Sequence, residues 1–322
     1  MVTITGAGGR IQLHVDPREA EAALSIAGRW KVGLPVLEQH WLDLLTSAGY
    51  LRWKRRMQAI DQPVTDAEFA RFLLSGSVAD RTSQLCQALR SWSGAAWKQA
   101  ALVALSWLPD RARIITDVFM LLTPTAVSFF FAEDGHTGAF FALDPALSTS
   151  EFHNRMVHEL HHVGYFGLRD RSLSRIQSPV ESAIAWTDSF SEGLAMLAAA
   201  GGAAIHPQAT RPAEARSRWD RDIANVEQDR RAIERFLLDV LHARFTADRE
   251  VETGRALYGV QGPWYTVGWW MAATVERRLG RRALLDCMEG GPRLMESYNK
   301  AARVCNFQPW AQELMAALLN PL

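Results

Sequence analysis

The chain has 322 residues, 48% of them hydrophobic, with 35 basic side chains balanced by 35 acidic ones. That length can bury a large core, as one big domain or two closely packed lobes, and the neutral balance supplies no field to draw in nucleic acid. Cys86, Cys287 and Cys305 are too few and too far apart for a disulfide framework, so a reduced, cytoplasmic setting is expected.

The first residues, M-V-T-I-T-G-A-G-G-R, lack the basic start and apolar core of a signal peptide. The longest apolar runs, residues 100–108 and 119–132, are too short, or too interrupted by Thr123, Pro124 and Thr125, to cross a bilayer. No membrane partner is therefore expected. Arginine outnumbers lysine 31 to 4, a bias of GC-rich bacterial genomes that carries no mechanistic weight.

In chain order, residues 2–5 and 10–15 alternate well enough for a short hairpin across the glycines at 6–9. Strand rather than helix follows those glycines, which excludes a phosphate-binding loop. From Asp16, an N-cap ahead of Pro17, the text turns helical over residues 18–27, 34–56, 65–74, 81–91 and 95–108. Trp30, Trp41, Trp53, Trp92 and Trp97 read as core of this lobe rather than as an aromatic binding box. The one dense basic run, R-W-K-R-R at residues 52–56, reads as a solvated helix face.

Between residues 113 and 143 the period changes. Runs at 113–121, 126–132 and 138–143, separated by T-P-T and E-D-G turns, predict a small antiparallel sheet. The last of these strands reads equally as an exposed edge that pairs with an extended peptide or as a strand that only packs the following helix.

That helix, residues 151–164, reads E-F-H-N-R-M-V-H-E-L-H-H-V-G and sets His158, Glu159 and His162 in the order H-E-x-x-H. Positions four apart lie one above the other on a helix, so both imidazoles can reach one ion, while Glu159 sits beside them without being a ligand. This is what a zinc hydrolase needs: two neutral nitrogens on the cation and a carboxylate to take a proton from metal-bound water. Ser148 and Glu151 make a capping box, and Gly164 is expected to stop the helix. Phe152, Met156, Leu160 and Val163 share one side and predict a buried face. His153 and His161 read as surface or hydrogen-bonded histidines.

A second capping box, Ser178 with Glu181, opens a helix with proline at its first position, expected to run to residue 200 and to stop at Gly201 and Gly202. It carries Glu192, flanked on a helical wheel by Ala185, Ala195 and Ala199, small enough to let this helix approach the H-E-x-x-H helix. Glu192 is thus a candidate third ligand, with an acidic solvent-facing stripe through Glu181 and Asp188 as the other reading. Asp188, one turn before Glu192, is a candidate acceptor for orienting a ligand histidine. Residues 219–244 read as one charged amphipathic helix of structural role. Residues 263–280 form a bounded helix with Tyr265 in its first turn, where a phenol can donate to a developing oxyanion or simply pack. Residues 281–322 read as closing helices.

H-E-L-H-H at 158–162 followed 30 residues after His162 by S-E-G-L-A resembles the gluzincin group of zinc metallopeptidases. Together with G-P-W-Y-T-V-G-W-W-M-A-A-T-V-E-R-R-L-G at 262–280, it is most similar to a bacterial family of zinc-dependent peptidases catalogued as a domain of unknown function. The resemblance covers residues 113–302. It implies a zincin-like, mainly α fold with the small antiparallel sheet; residues 1–110 read as an N-terminal helical lobe and 111–322 as the catalytic region, the two expected to form one compact unit. It also implies one zinc ion held by His158, His162 and Glu192, Glu159 as general base, Tyr265 as oxyanion donor, and a peptide or small amide as substrate. One departure is Met196, which stands where the better-known gluzincins have an aspartate four residues after the third ligand. Two other functions fit the same residues: a metal-dependent enzyme acting on a non-peptide small molecule, and a non-catalytic helical binding module that retains a metal site.

Overall fold

The computed structural model describes residues 1–125, 127–133, 135–168, 178–305 and 307–320. Strands β1 (Val2–Gly6) and β2 (Ile11–Asp16) lead into helices α1 (Arg18–Lys31), α2 (Glu38–Leu45), α3 (Ala48–Ala59), α4 (Asp66–Leu73), α5 (Gly76–Ala79), α6 (Thr82–Ser93) and α7 (Trp97–Leu105). Strands β3 (Ile114–Leu121), β4 (Phe129–Glu133) and β5 (His136–Ala142) precede α8 (Thr149–Phe166). The remainder is helical: α9 (Pro179–Thr187), α10 (Ser191–Ala200), α11 (Ala213–Ala224), α12 (Val226–Leu241), α13 (Ala247–Ala256), α14 (Pro263–Asp286), α15 (Gly291–Cys305) and α16 (Gln312–Leu319). The chain divides into two compact units, Met1–Leu102 with Arg113–Val163 and Val103–Ala112 with Gly164–Leu322. No helix among the described residues is long and apolar enough to cross a membrane.

In the first unit β1 and β2 form the expected hairpin, with Val2 opposite Val15. β2 then pairs parallel with β3, and β3 parallel with β5, while β4 closes one edge antiparallel to β5. The sheet is therefore a mixed one of five strands in the order β1-β2-β3-β5-β4, which corrects the small antiparallel sheet expected from the sequence. Strand patterning reports that a run is extended, not which partner it finds. Here the helices α1 to α7 act as the long crossover that a parallel neighbour requires. β5 is internal, so the edges are β1 and β4 and not the strand that leads into α8, which corrects the reading of that strand as an edge.

Successive strand residues point to opposite faces, and Phe140 and Phe141 of β5 show both. On one face Phe140 stacks with Phe119 at 5.0 Å and with Phe129 at 4.7 Å. Arg52 of α3 lies over the Phe119 and Phe140 rings and donates to the carbonyls of His136 and Thr137. Arg52 is thus buried, which corrects the solvated reading for that residue, whereas Lys54 and Arg55 pair with Asp66 and Glu133 nearer the surface. On the other face Phe141 meets Trp97 edge-on at 5.1 Å and Phe152 of α8 at 5.9 Å. Trp92 stacks flat on Phe152, 4.0 Å between ring centres. These rings seat the first turn of α8 on the sheet. Trp53, Trp92 and Trp97 are core as expected, while Trp30 stands at the surface.

In the second unit α10, α12 and α15 pack on α14. The helix expected over residues 178–200 is broken: α9 ends at Thr187, a 3-10 turn covers Asp188–Phe190, and α10 starts at Ser191. Its end is as expected, with Gly201 in the left-handed region at φ 89°. The single helix expected over 219–244 is two, parted at Asn225, whose side-chain amide donates to the Arg221 carbonyl. Asparagine offers the backbone a local alternative to helix, and here it takes it. α14 begins at Pro263 as expected, and the regular helix breaks at Gly280, where a stop was expected: φ 84° and ψ 164° are not helical, and a second helical stretch runs on from there to Asp286.

Candidate metal centre

α8 begins where the sequence places its cap. The Ser148 Oγ accepts from the Glu151 backbone N–H at 3.2 Å, and the Glu151 carboxylate accepts from the Ser148 N–H at 2.9 Å. Phe152, Met156, Leu160 and Val163 are all buried, which confirms the apolar side. Gly164 does not stop the helix, which continues to Phe166 and buries Tyr165. Burial of that ring outweighs the roughly 1 kcal/mol that a mid-helix glycine costs. His161 is fully buried, which removes the surface alternative for that residue.

The register of α8 carries the first half of the site. His158 and His162 sit one turn apart, and their Nε2 atoms converge to 3.1 Å with the rings at 79° to one another. Two nitrogens bound to one tetrahedral zinc at about 2.0–2.1 Å stand about 3.3 Å apart, so this pair has the spacing of two ligands of one ion. Two neutral imidazoles facing each other so closely need either a shared hydrogen or a cation between their lone pairs. Glu159, the residue between them, is 6% exposed.

The second unit positions the remaining candidates. Glu192 lies in the first turn of α10 and Tyr265 in the first turn of α14. Between them the two helices touch backbone to backbone. A Cβ added at Gly193 would lie 2.6 Å from the Gly268 Cα and closer still to the Gly268 carbonyl carbon and the Trp269 nitrogen. One added at Gly268 would lie 2.7 Å from the Phe190 carbonyl oxygen. Glu192 and Tyr265 are thus carried on turns adjoining one rigid contact. Trp264 fixes the start of α14: it is fully buried, donates to the Gly254 carbonyl at 3.0 Å and meets Phe190 edge-on at 5.1 Å. Of the small residues the sequence singles out around Glu192, Ala195 is fully buried, while Ala185 and Ala199 are half-buried. The residue that makes the closest approach is Gly193, legible only as a glycine left inside a helical run.

Met196, 7% exposed, receives the Gln261 side-chain amide at 3.9 Å from its sulfur, and Gln208 donates to Gln261 at 2.8 Å. Met196, four residues after Glu192, is therefore held in an amide–thioether contact. Should Glu192 not be a ligand, Asp188 and Asp170 are the next carboxylates the sequence offers: Asp188 is half-buried in the 3-10 turn before α10, and Asp170 lies outside the described residues.

A family profile described as "putative zinc dependent peptidase" (DUF5700) matches residues 51–306, more than half of the chain, and the chain belongs to that family. No curated protein and no solved structure matches it.

Proposed function

We propose that this member of the zinc-dependent peptidase family hydrolyses peptide or other amide bonds at one zinc ion held by His158, His162 and Glu192. The observation that carries the reading is the convergence of the two Nε2 atoms to 3.1 Å on a helix that buries Glu159 beside them. Glu192 is supported by its place in S-E-G-L-A, on a turn whose backbone is fixed against α14. A bound zinc supplies a Lewis acid that polarises the scissile carbonyl and lowers the pKa of the attacking water. Glu159 takes the proton of that water and returns it to the leaving amine. Tyr265, its hydroxyl carried on the first turn of α14, donates to the oxyanion.

The test pairs elemental analysis with a panel of quenched peptides, each assayed with and without chelator. One zinc per chain and chelator-sensitive cleavage are expected. Stoichiometric zinc with no peptide cleaved would overturn the peptidase reading and favour a different substrate or a structural metal.

A further inference from the structure

The second unit holds a recess of about 450 Å³ immediately before Glu192 in the chain, lined by Ser182, Trp186, Asp188, Ser189, Glu250 and Tyr258. Its walls come from α9, the 3-10 turn, the start of α10 and α13, with Tyr258 just beyond the end of α13. Two carboxylates, an indole and a phenol line it, and neither a lysine nor an arginine is among its lining residues.

Glu250 is held in one pose. Ser182 and Trp186 both donate to its Oε1, the indole at 2.8 Å, and among the described residues no donor reaches Oε2. The wall behind it is rigid, because Gly254 of α13 lies under the Trp186 ring where a Cβ would collide with three of its carbons. Across the recess the Ser189 and Tyr258 hydroxyls are hydrogen-bonded at 2.7 Å. A carboxylate with one oxygen anchored and the other unclaimed, among aromatic walls, matches a guanidinium or ammonium group. Such a group gains a charge-assisted hydrogen bond and faces ring surfaces as well.

We propose that this recess binds a cationic group of the substrate, so that the enzyme favours peptides carrying positive charge near the cleaved bond. The role in cleavage rests on the peptidase reading above; the binding of the cation does not. The cation has two possible sources, an arginine or lysine side chain and the α-ammonium of a free N-terminus.

Calorimetric titration of the full chain in zinc-containing buffer separates them: N-acetylarginine amide offers only the guanidinium, and alaninamide only the ammonium. Binding of one of the two is expected, with a neutral counterpart of each as control: N-acetylcitrulline amide for the first and propionamide for the second. Glu250→Gln keeps the acceptor for Ser182 and Trp186 but loses the charge, and should weaken binding about tenfold. Binding of neither cation, equal binding of the bound cation's neutral counterpart, or unchanged affinity in Glu250→Gln, overturns the proposal. The comparison of the bound cation with its neutral counterpart uses the unmodified chain and decides the matter even where the variant does not fold. Chelator-sensitive peptide cleavage with neither cation bound would sink the recess and leave the peptidase reading standing. Charge-dependent binding that Glu250→Gln weakens, with no peptide cleaved, would do the reverse.

Discussion

Gly193 of α10 lies against Gly268 of α14 with no room for a methyl group on either. Backbone atoms, not flexible side-chain ends, would meet the added carbon, so the helices must separate to admit it. Gly193→Ala should therefore destabilise the fold by overpacking, about 1–3 kcal/mol or more. Urea unfolding monitored by circular dichroism gives the number. A variant as stable as the parent would mean that the contact is looser than described.

Glu192 adjoins that contact, and a ligand role there has a thermodynamic signature. A metal that binds only the folded state adds stability, so Glu192→Ala should lower the melting temperature of the zinc-loaded protein and leave the metal-free protein unchanged. His162→Ala should behave in the same way. Equal melting shifts with and without zinc would instead assign Glu192 a packing role.

Glu159 is the general base in the proposed reaction, and glutamine keeps its shape while removing its basicity. Glu159→Gln should retain one zinc per chain and lose at least about 10²-fold in turnover on any cleaved peptide. Metal content and kcat measured on one preparation check both halves; retained turnover would remove Glu159 from the mechanism.

Parts of this architecture were legible in local sequence because local physics decides them. The Ser148–Glu151 and Ser178–Glu181 boxes, the apolar side of α8 and the four-residue spacing of His158 and His162 follow from helical geometry alone. The parallel pairing of β2 with β3 was not legible: Ile11 finds Ile114 across the whole of α1 to α7, and nothing in either strand names its partner. Arg52 sits in a charged run, yet its burial depends on Phe119 and Phe140 arriving from two other strands. The breaks at Asp188–Phe190 and Asn225 interrupt apolar periods that read as continuous. Gly193 does leave a trace in the sequence. A glycine inside S-E-G-L-A costs helix stability unless a neighbour needs the space, and that neighbour is Gly268.

Glu19 gives the protein a pH dependence that has nothing to do with the metal centre. Its side chain is buried beneath the end of β3, where Oε2 accepts from the Leu122 N–H at 2.8 Å and Oε1 has no partner among the described residues. Burial pushes its carboxyl up to about 8, from an ordinary value of 4.5, against the lowering effect of the Leu122 hydrogen bond. Between those two values the folded chain keeps a proton that the unfolded chain has released. Stability must therefore fall as pH rises through that window, by at most about 1.4 kcal/mol per pH unit from this group. Glu19→Gln keeps a carbonyl for Leu122 and has no proton to lose. Its urea midpoint should exceed that of the parent at pH 8, and the difference should shrink steadily and vanish near pH 4.5. A difference constant across that range would show that Glu19 is charged in the folded state and that the buried pocket solvates it.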